Sequence, residues 1–255
     1  MNNLKWFTPQ WRSHYSAKMN LFCFHHAGGA ASFYKKWPTA LSPKVQVIPV
    51  QMPGRETRYG ETFASSIDEM VNDLVHHKDV FADKPYAIFG HSLGALFGFE
   101  LARRLVERDG PAPRFFVSSG HGAPRRQPAD EKLHMLPDKQ FIERMREKYG
   151  GVSDEVIACE ELLEFLLPRF RADIRMAEQH TSNDSVPVRF PVAVMHGRGD
   201  KSVSMDDVKG WQNETLAEVS IHEFDGNHFF IETNEIQVFE VVNKLLADQL
   251  RELEA

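Results

Sequence analysis

The sequence predicts an α/β fold, a mostly parallel central sheet flanked by helices, from two observations. Short apolar runs alternate with stretches of helical periodicity, and one of those runs passes through a glycine-flanked turn directly into a helix. At 255 residues, 42% of them hydrophobic, the chain is long enough for one full-sized core, so a single domain over residues 1–255 is expected.

Taken in order, residues 21–24, 45–50, 86–89, 115–117, 192–195 and 219–224 are short and apolar enough to be strands. Between the second and third, Ile67, Met70, Val71, Leu74 and Val75 recur at helical spacing, with Ser66 and Glu69 placed for a capping box. After the third, Phe97, Leu101 and Leu105 fall four apart, and Glu100, Arg103, Arg104 and Glu107 are expected on the other side of that helix. Residues 121–187 break the rhythm. They carry helical patterns through Phe141, Met145 and Tyr149 and again over 162–170 but no strand, which predicts a helical insertion over the sheet, a candidate lid. A last helix from about Asn234, with Val238, Val242, Leu245 and Leu246 on one face, closes the domain.

Composition narrows the function classes. A net charge of -6 argues against nucleic acid as a partner. Basic residues still cluster at Arg103, Arg104 and Arg108 and at Arg125 and Arg126, which leaves an acidic protein partner open. Two cysteines are too few for a disulfide framework, and Cys23, inside an apolar run, reads as a buried thiol. The N-terminal residues lack the basic-then-apolar order of a secretory signal, and no stretch is apolar for the roughly 18 residues a membrane span needs. The expectation is a cytoplasmic chain with no membrane contact, and nothing demands more than a monomer. His76-His77, an adjacent pair on a helix, would point its rings apart. With no His-Glu-x-x-His, Cys-x-x-Cys or complete nucleotide-binding fingerprint, no metal or cofactor is expected.

Gly90-His91-Ser92-Leu93-Gly94 matches the Gly-x-Ser-x-Gly nucleophile elbow, and it stands between a strand and a helix as that turn requires. A serine hydroxyl is a poor nucleophile until a base takes its proton, and in the α/β-hydrolase fold the partners follow in the order Ser, Asp or Glu, His. Asp200 follows the fifth strand, at the strand end where ligands approach open α/β sheets. His228 lies between the last strand and the last helix. Twelve histidines make the type alone uninformative, and chain position selects this one. The oxyanion formed at the attacked carbonyl needs backbone donors, one from Leu93 and a second from the loop His25-His26-Ala27-Gly28-Gly29-Ala30 after the first strand. The His25 and His26 side chains are expected to pack or hydrogen-bond there.

Together, Phe24-His25-His26-Ala27-Gly28-Gly29-Ala30, Val50-Gln51-Met52-Pro53-Gly54-Arg55-Glu56, the elbow and Gly226-Asn227-His228-Phe229-Phe230 resemble type II thioesterases, the free-standing editing partners of nonribosomal peptide and polyketide synthases. The resemblance runs over essentially the whole chain and implies an acyl thioester on the phosphopantetheine arm of an acyl or peptidyl carrier protein, supplied in trans. It implies Ser92, Asp200 and His228 as the triad, and the amides of Ala27 and Leu93 as oxyanion donors. The stretch 169–174 resembles the family's lid segment and would set Phe170 and Ile174 near substrate. Asn227 stands where the family usually has Asp, Leu93 where it often has Met, and His25-His26 in place of the more usual Pro-His. Arg55 and Arg58 are expected to brace a turn rather than meet the arm's phosphate. The residues leave two alternatives open, a general carboxylesterase of the same fold and a non-catalytic binding protein built on it.

Overall fold

The computed structural model describes residues 5–7, 16–125, 131–152, 154–182 and 186–254. Arg126, half of one basic cluster, and the N-terminal residues 1–4 lie outside them, as do 126–130, 153 and 183–185 of the predicted insertion. Six strands form one sheet: β1 (Met19–Phe24), β2 (Val45–Val50), β3 (Tyr86–His91), β4 (Phe116–Ser119), β5 (Val192–Gly197) and β6 (Val219–Phe224). Their order is β2-β1-β3-β4-β5-β6 and every neighbouring pair is parallel. The helices are α1 (Trp37–Ala40), α2 (Ile67–Val75), α3 (Asp79–Ala82), α4 (Leu93–Glu107), α5 (Asp138–Tyr149), α6 (Asp154–Ala158), α7 (Glu160–Gln179), α8 (Met205–Lys209), α9 (Phe230–Thr233) and α10 (Glu235–Glu254).

Strands β3, β4 and β5 run two residues further than their apolar cores predict. The added residues, Gly90, His91, Ser118, Ser119, His196 and Gly197, are polar or glycine, yet they are buried. Apolar pattern ends where the strands reach the site, but the hydrogen-bonded ladder does not.

Two cores sit on the two sheet faces, as the period of two in each strand requires. Phe22, Phe24, Ile88, Phe116 and Val194 face α2 and α4, while Leu21, Cys23, Phe89, Val117 and Met195 face Val238, Val242 and Leu246 of α10. A third, smaller core joins Phe141 and Met145 of α5 to Ile174 of α7.

Three expectations need correction. Ser66 Oγ caps α2 by accepting the Glu69 amide, but the Glu69 carboxylate turns to Ser65 N (2.8 Å) and Oγ (2.6 Å), so the reciprocal half of the box is shifted by one residue. His76 and His77 lie just past the end of α2. Glu100 and Arg103 are buried, because α4 is packed on the sheet and also against α2 and α7. Arg103 Nη2 donates to Glu100 at 2.5 Å, and Ser182 Oγ donates to its other oxygen at 3.2 Å. The basic clusters are largely spent inside the molecule: Arg103 also meets Glu107, Arg104 meets Asp68 and Arg125 meets Glu214.

Candidate active site

In this strand order the chain leaves β1 for β2 on one side and returns to β3 on the other. The C-terminal ends of β1 and β3 therefore flank the topological switch point, where open α/β sheets bind ligands. Ser92 directly follows β3 and the 25–30 loop directly follows β1, so the fold brings the two predicted halves of the site together.

The elbow is tight. Ser92 has φ 55 and ψ -121, a conformation rare for a side chain larger than hydrogen, and its amide donates to Ser119 O at 2.8 Å. A Cβ on Gly90 would lie 2.3 Å from Gly94 O, and one on Gly94 would lie 2.1 Å from Phe24 O. Both clashes are with backbone, which is why the motif needs glycine on each side of the serine.

Ser92 Oγ donates to His228 Nε2 at 2.8 Å, and His228 Nδ1 donates to Asp200 Oδ2 at 2.7 Å, with the tautomer assigned from this network. Positions 92, 200 and 228, far apart in the chain, thus form one relay. The turns carrying the last two are stitched together, since Gly199 N donates to Gly226 O at 2.8 Å. Burial works against the charge on Asp200, but bonds from His228 and from Ser202 outweigh it and hold the carboxyl below its ordinary range. Asn227 accepts the Phe229 amide on its side-chain oxygen at 2.9 Å.

Ser202 was not among the predicted residues. Its hydroxyl donates to Asp200 Oδ1 at 2.6 Å and its amide to the same oxygen at 2.8 Å, while Oγ also lies 3.0 Å from His228 Nδ1. Only its spacing, two residues after a loop aspartate, hinted at such a turn. His91 was named only as part of the elbow. Its Nδ1 is 2.9 Å from Ser119 Oγ and its ring 5.2 Å from that of His228, and burial, with the neighbouring His228 and His26, holds it neutral.

Among the described residues neither the Ala27 nor the Leu93 amide meets an acceptor, whereas Gly28 N donates to Asp173 and Gly29 N to His26 O. His25 is fully buried, with Nδ1 2.9 Å from His26 O. Burial, His228 and two arginines push His26 down to about 3, so its ring stays uncharged. Arg55 and Arg58 do brace loops, but from inside: Arg58 pairs with Glu61 and covers the Trp6 ring, and Arg55 pairs with Asp173.

Above Ser92 lies a cleft of about 770 Å³, its mouth included, walled by Leu93, Met145, Tyr149, Val152, Phe170 and Ile174. Helices α5 and α7 and the Val152 segment between them thus supply most of an apolar wall facing the polar relay. An apolar cleft with a few convergent polar groups is the usual form of a small-molecule site.

A relay of this order on a parallel sheet defines a serine hydrolase of the α/β-hydrolase fold. Residues 19–246 match the family model described as thioesterase domain. The chain is 34% identical over 236 residues to the linear gramicidin dehydrogenase LgrE of Brevibacillus parabrevis, covering 92% of this chain and 90% of that one. It is 31% identical to the gramicidin S biosynthesis protein GrsT of Aneurinibacillus migulanus, covering 95% and 94%. BorB, the type II thioesterase from the borrelidin biosynthetic cluster, superposes with a TM-score of 0.83 at 29% identity, covering 97% and 98%. The chain belongs to the thioesterase family, among the type II thioesterases of nonribosomal peptide and polyketide pathways. It is a thioester hydrolase.

Proposed function

We propose that this chain clears acyl groups held as thioesters on the phosphopantetheine arm of a carrier protein, with Ser92, His228 and Asp200 as its catalytic triad. The observation that carries the reading is the continuous relay from Asp200 Oδ2 to Ser92 Oγ, opening on an apolar cleft. Ser92 Oγ attacks the thioester carbonyl carbon as its proton passes to His228 Nε2. The free amides of Ala27 and Leu93 hold the oxyanion, and the proton then goes to the departing thiolate. Water, activated by the same histidine, attacks the acyl-enzyme and releases the acid.

In this reading residues 121–187 are a lid, with Phe170 and Ile174 lining the acyl path, and the carrier protein binds in trans to a cytoplasmic monomer. No helix of the described residues is long and apolar enough to cross a membrane. The test compares hydrolysis of acyl-carrier protein, acyl-pantetheine and a simple oxygen ester, with Ser92→Ala as control. Serine-dependent turnover fastest on the carrier is expected. Turnover that survives Ser92→Ala would refute the triad, and equal rates on the simple ester would point to a general esterase.

A further inference from the structure

One carboxylate fastens the loop after β1 to the helical segment above it. Asp173, on α7, is wholly buried, and its Oδ2 accepts the Gly28 amide at 2.7 Å and Arg55 Nη1 at 2.8 Å. Its Oδ1 accepts Arg55 Nη2 at 2.8 Å, completing a bidentate pair. Arg55 is also buried and donates onward to Gly29 O (3.1 Å) and Pro53 O (3.2 Å). Burying two charges costs several kcal/mol each, and such a pair is often no more stabilising than apolar residues of the same volume. What this pair does specify is the path of one loop, because its remaining bonds all run to that loop and to the 53–55 turn.

Three successive amides in the loop are allotted differently. Gly29 N donates to His26 O at 3.0 Å, Gly28 N goes to Asp173, and Ala27 N is left without an acceptor among the described residues. Gly28 has φ +75, and a Cβ there would lie 2.0 Å from the ring of Phe170. Phe170 and Asp173, three apart on one face of α7, therefore hold the same glycine by its surface and by its amide.

We propose that Asp173, clamped by Arg55, is a positioning residue for thioester hydrolysis. By taking the Gly28 amide it turns the preceding Ala27 amide toward the carbonyl oxygen at Ser92, so the oxyanion hole is complete only while α7 is docked. This rests on the triad and oxyanion reading above.

The test uses the full chain and its Asp173→Ala, Asp173→Asn and Arg55→Lys variants, with rates normalised to titrated active serine. Two quantities are read: kcat and KM on an acyl-pantetheine thioester, and the Ki of an alkyl boronic acid, whose tetrahedral adduct on Ser92 places an oxygen in the hole. Removing an oxyanion donor costs about 100- to 1,000-fold, and a displaced donor less. Asp173→Ala is therefore expected to lower kcat about 10- to 100-fold with KM within about threefold. Asp173→Asn, which keeps an acceptor for Gly28, should lose less. Boronate affinity should fall in step with kcat/KM, a correlation that mere loss of folded protein would not produce.

Boronate affinity and kcat within about threefold of the parent in folded Asp173→Ala would overturn the proposal. If that variant does not fold, unchanged boronate affinity in both Arg55→Lys and Asp173→Asn overturns it equally. A parent with no Ser92-dependent thioester turnover would instead refute the functional reading, while the boronate series would still report on the hole.

Discussion

Replacing Gly94 by Ala should damage both stability and turnover, and the distances say by how much. The added Cβ would lie 2.1 Å from Phe24 O and 2.7 Å from His25 O, whereas ordinary contact begins near 3.4 Å. Relief therefore takes about 1 Å of backbone movement, since neither atom belongs to a side chain that could rotate away. These oxygens belong to the last residue of β1 and the one after it, a few bonds ahead of the Ala27 amide, and a 1 Å misplacement at a reacting centre costs about 100-fold in rate. Overpacking costs about 1–3 kcal/mol, and the gain in helix propensity from Gly to Ala returns only about 1 kcal/mol. Gly98, one turn further along α4, is the internal comparison. There the nearest atoms belong to side chains, the Ile88 Cγ2 methyl at 2.9 Å and the Phe24 and Phe116 rings at 3.3 and 3.4 Å, so Gly98→Ala overpacks the core without moving the main chain at the site and should cost stability but little turnover. The assay is kcat/KM on an acyl thioester beside thermal melting of both variants. If Gly94→Ala were as active as Gly98→Ala, the steric account of the elbow would fail.

Two further perturbations follow from the same geometry. Ser202→Ala removes the hydroxyl bond to Asp200, and since a bond to a charged group contributes about 1.5–3 kcal/mol to stability, the melting temperature should fall by several degrees and kcat should fall as Asp200 loses its hold on His228. An unchanged kcat would show that the Ser202 amide and His228 suffice to hold Asp200. Glu100 is held at about 2: burial alone would raise it, but His180 and Arg103 outweigh that effect. The drop from 4.5 to about 2 corresponds to ~3 kcal/mol of stability. Because the folded-state value is depressed, this contribution is whole above about 4.5 and is lost as pH falls toward 2. Urea unfolding should therefore show Glu100→Gln less stable by roughly that amount at pH 7, with the gap narrowing below pH 4.5; a constant gap would contradict the assignment.

The parts of this molecule legible from sequence are those set by neighbours along the chain. The period of two in the strands, the spacing of Ile67 to Val75 and the strand-turn-helix context of Gly90 to Gly94 are local, and they predicted the parallel sheet and the nucleophile elbow. Chain order, with His222 set aside because it lies in a strand pattern, then singled out His228 from twelve histidines. Residues whose roles depend on a distant partner were not legible. Glu100 and Arg103 are polar residues at helical spacing, and only the packing of α2 and α7 against α4 takes them out of water. Arg55 and Asp173 are separated by 118 positions, so no periodicity connects them, yet they meet as a buried bidentate pair. Ser202 acquires its role from the loop that brings His228 to Asp200. The sequence by itself determined the main elements, their parallel arrangement and the strand-turn-helix setting of Ser92, because those depend on local backbone preference and apolar period. Which polar groups are buried, which amides stay free and what closes over the serine were decided only when the chain packed, since burial and hydrogen-bond partnership belong to the assembled fold.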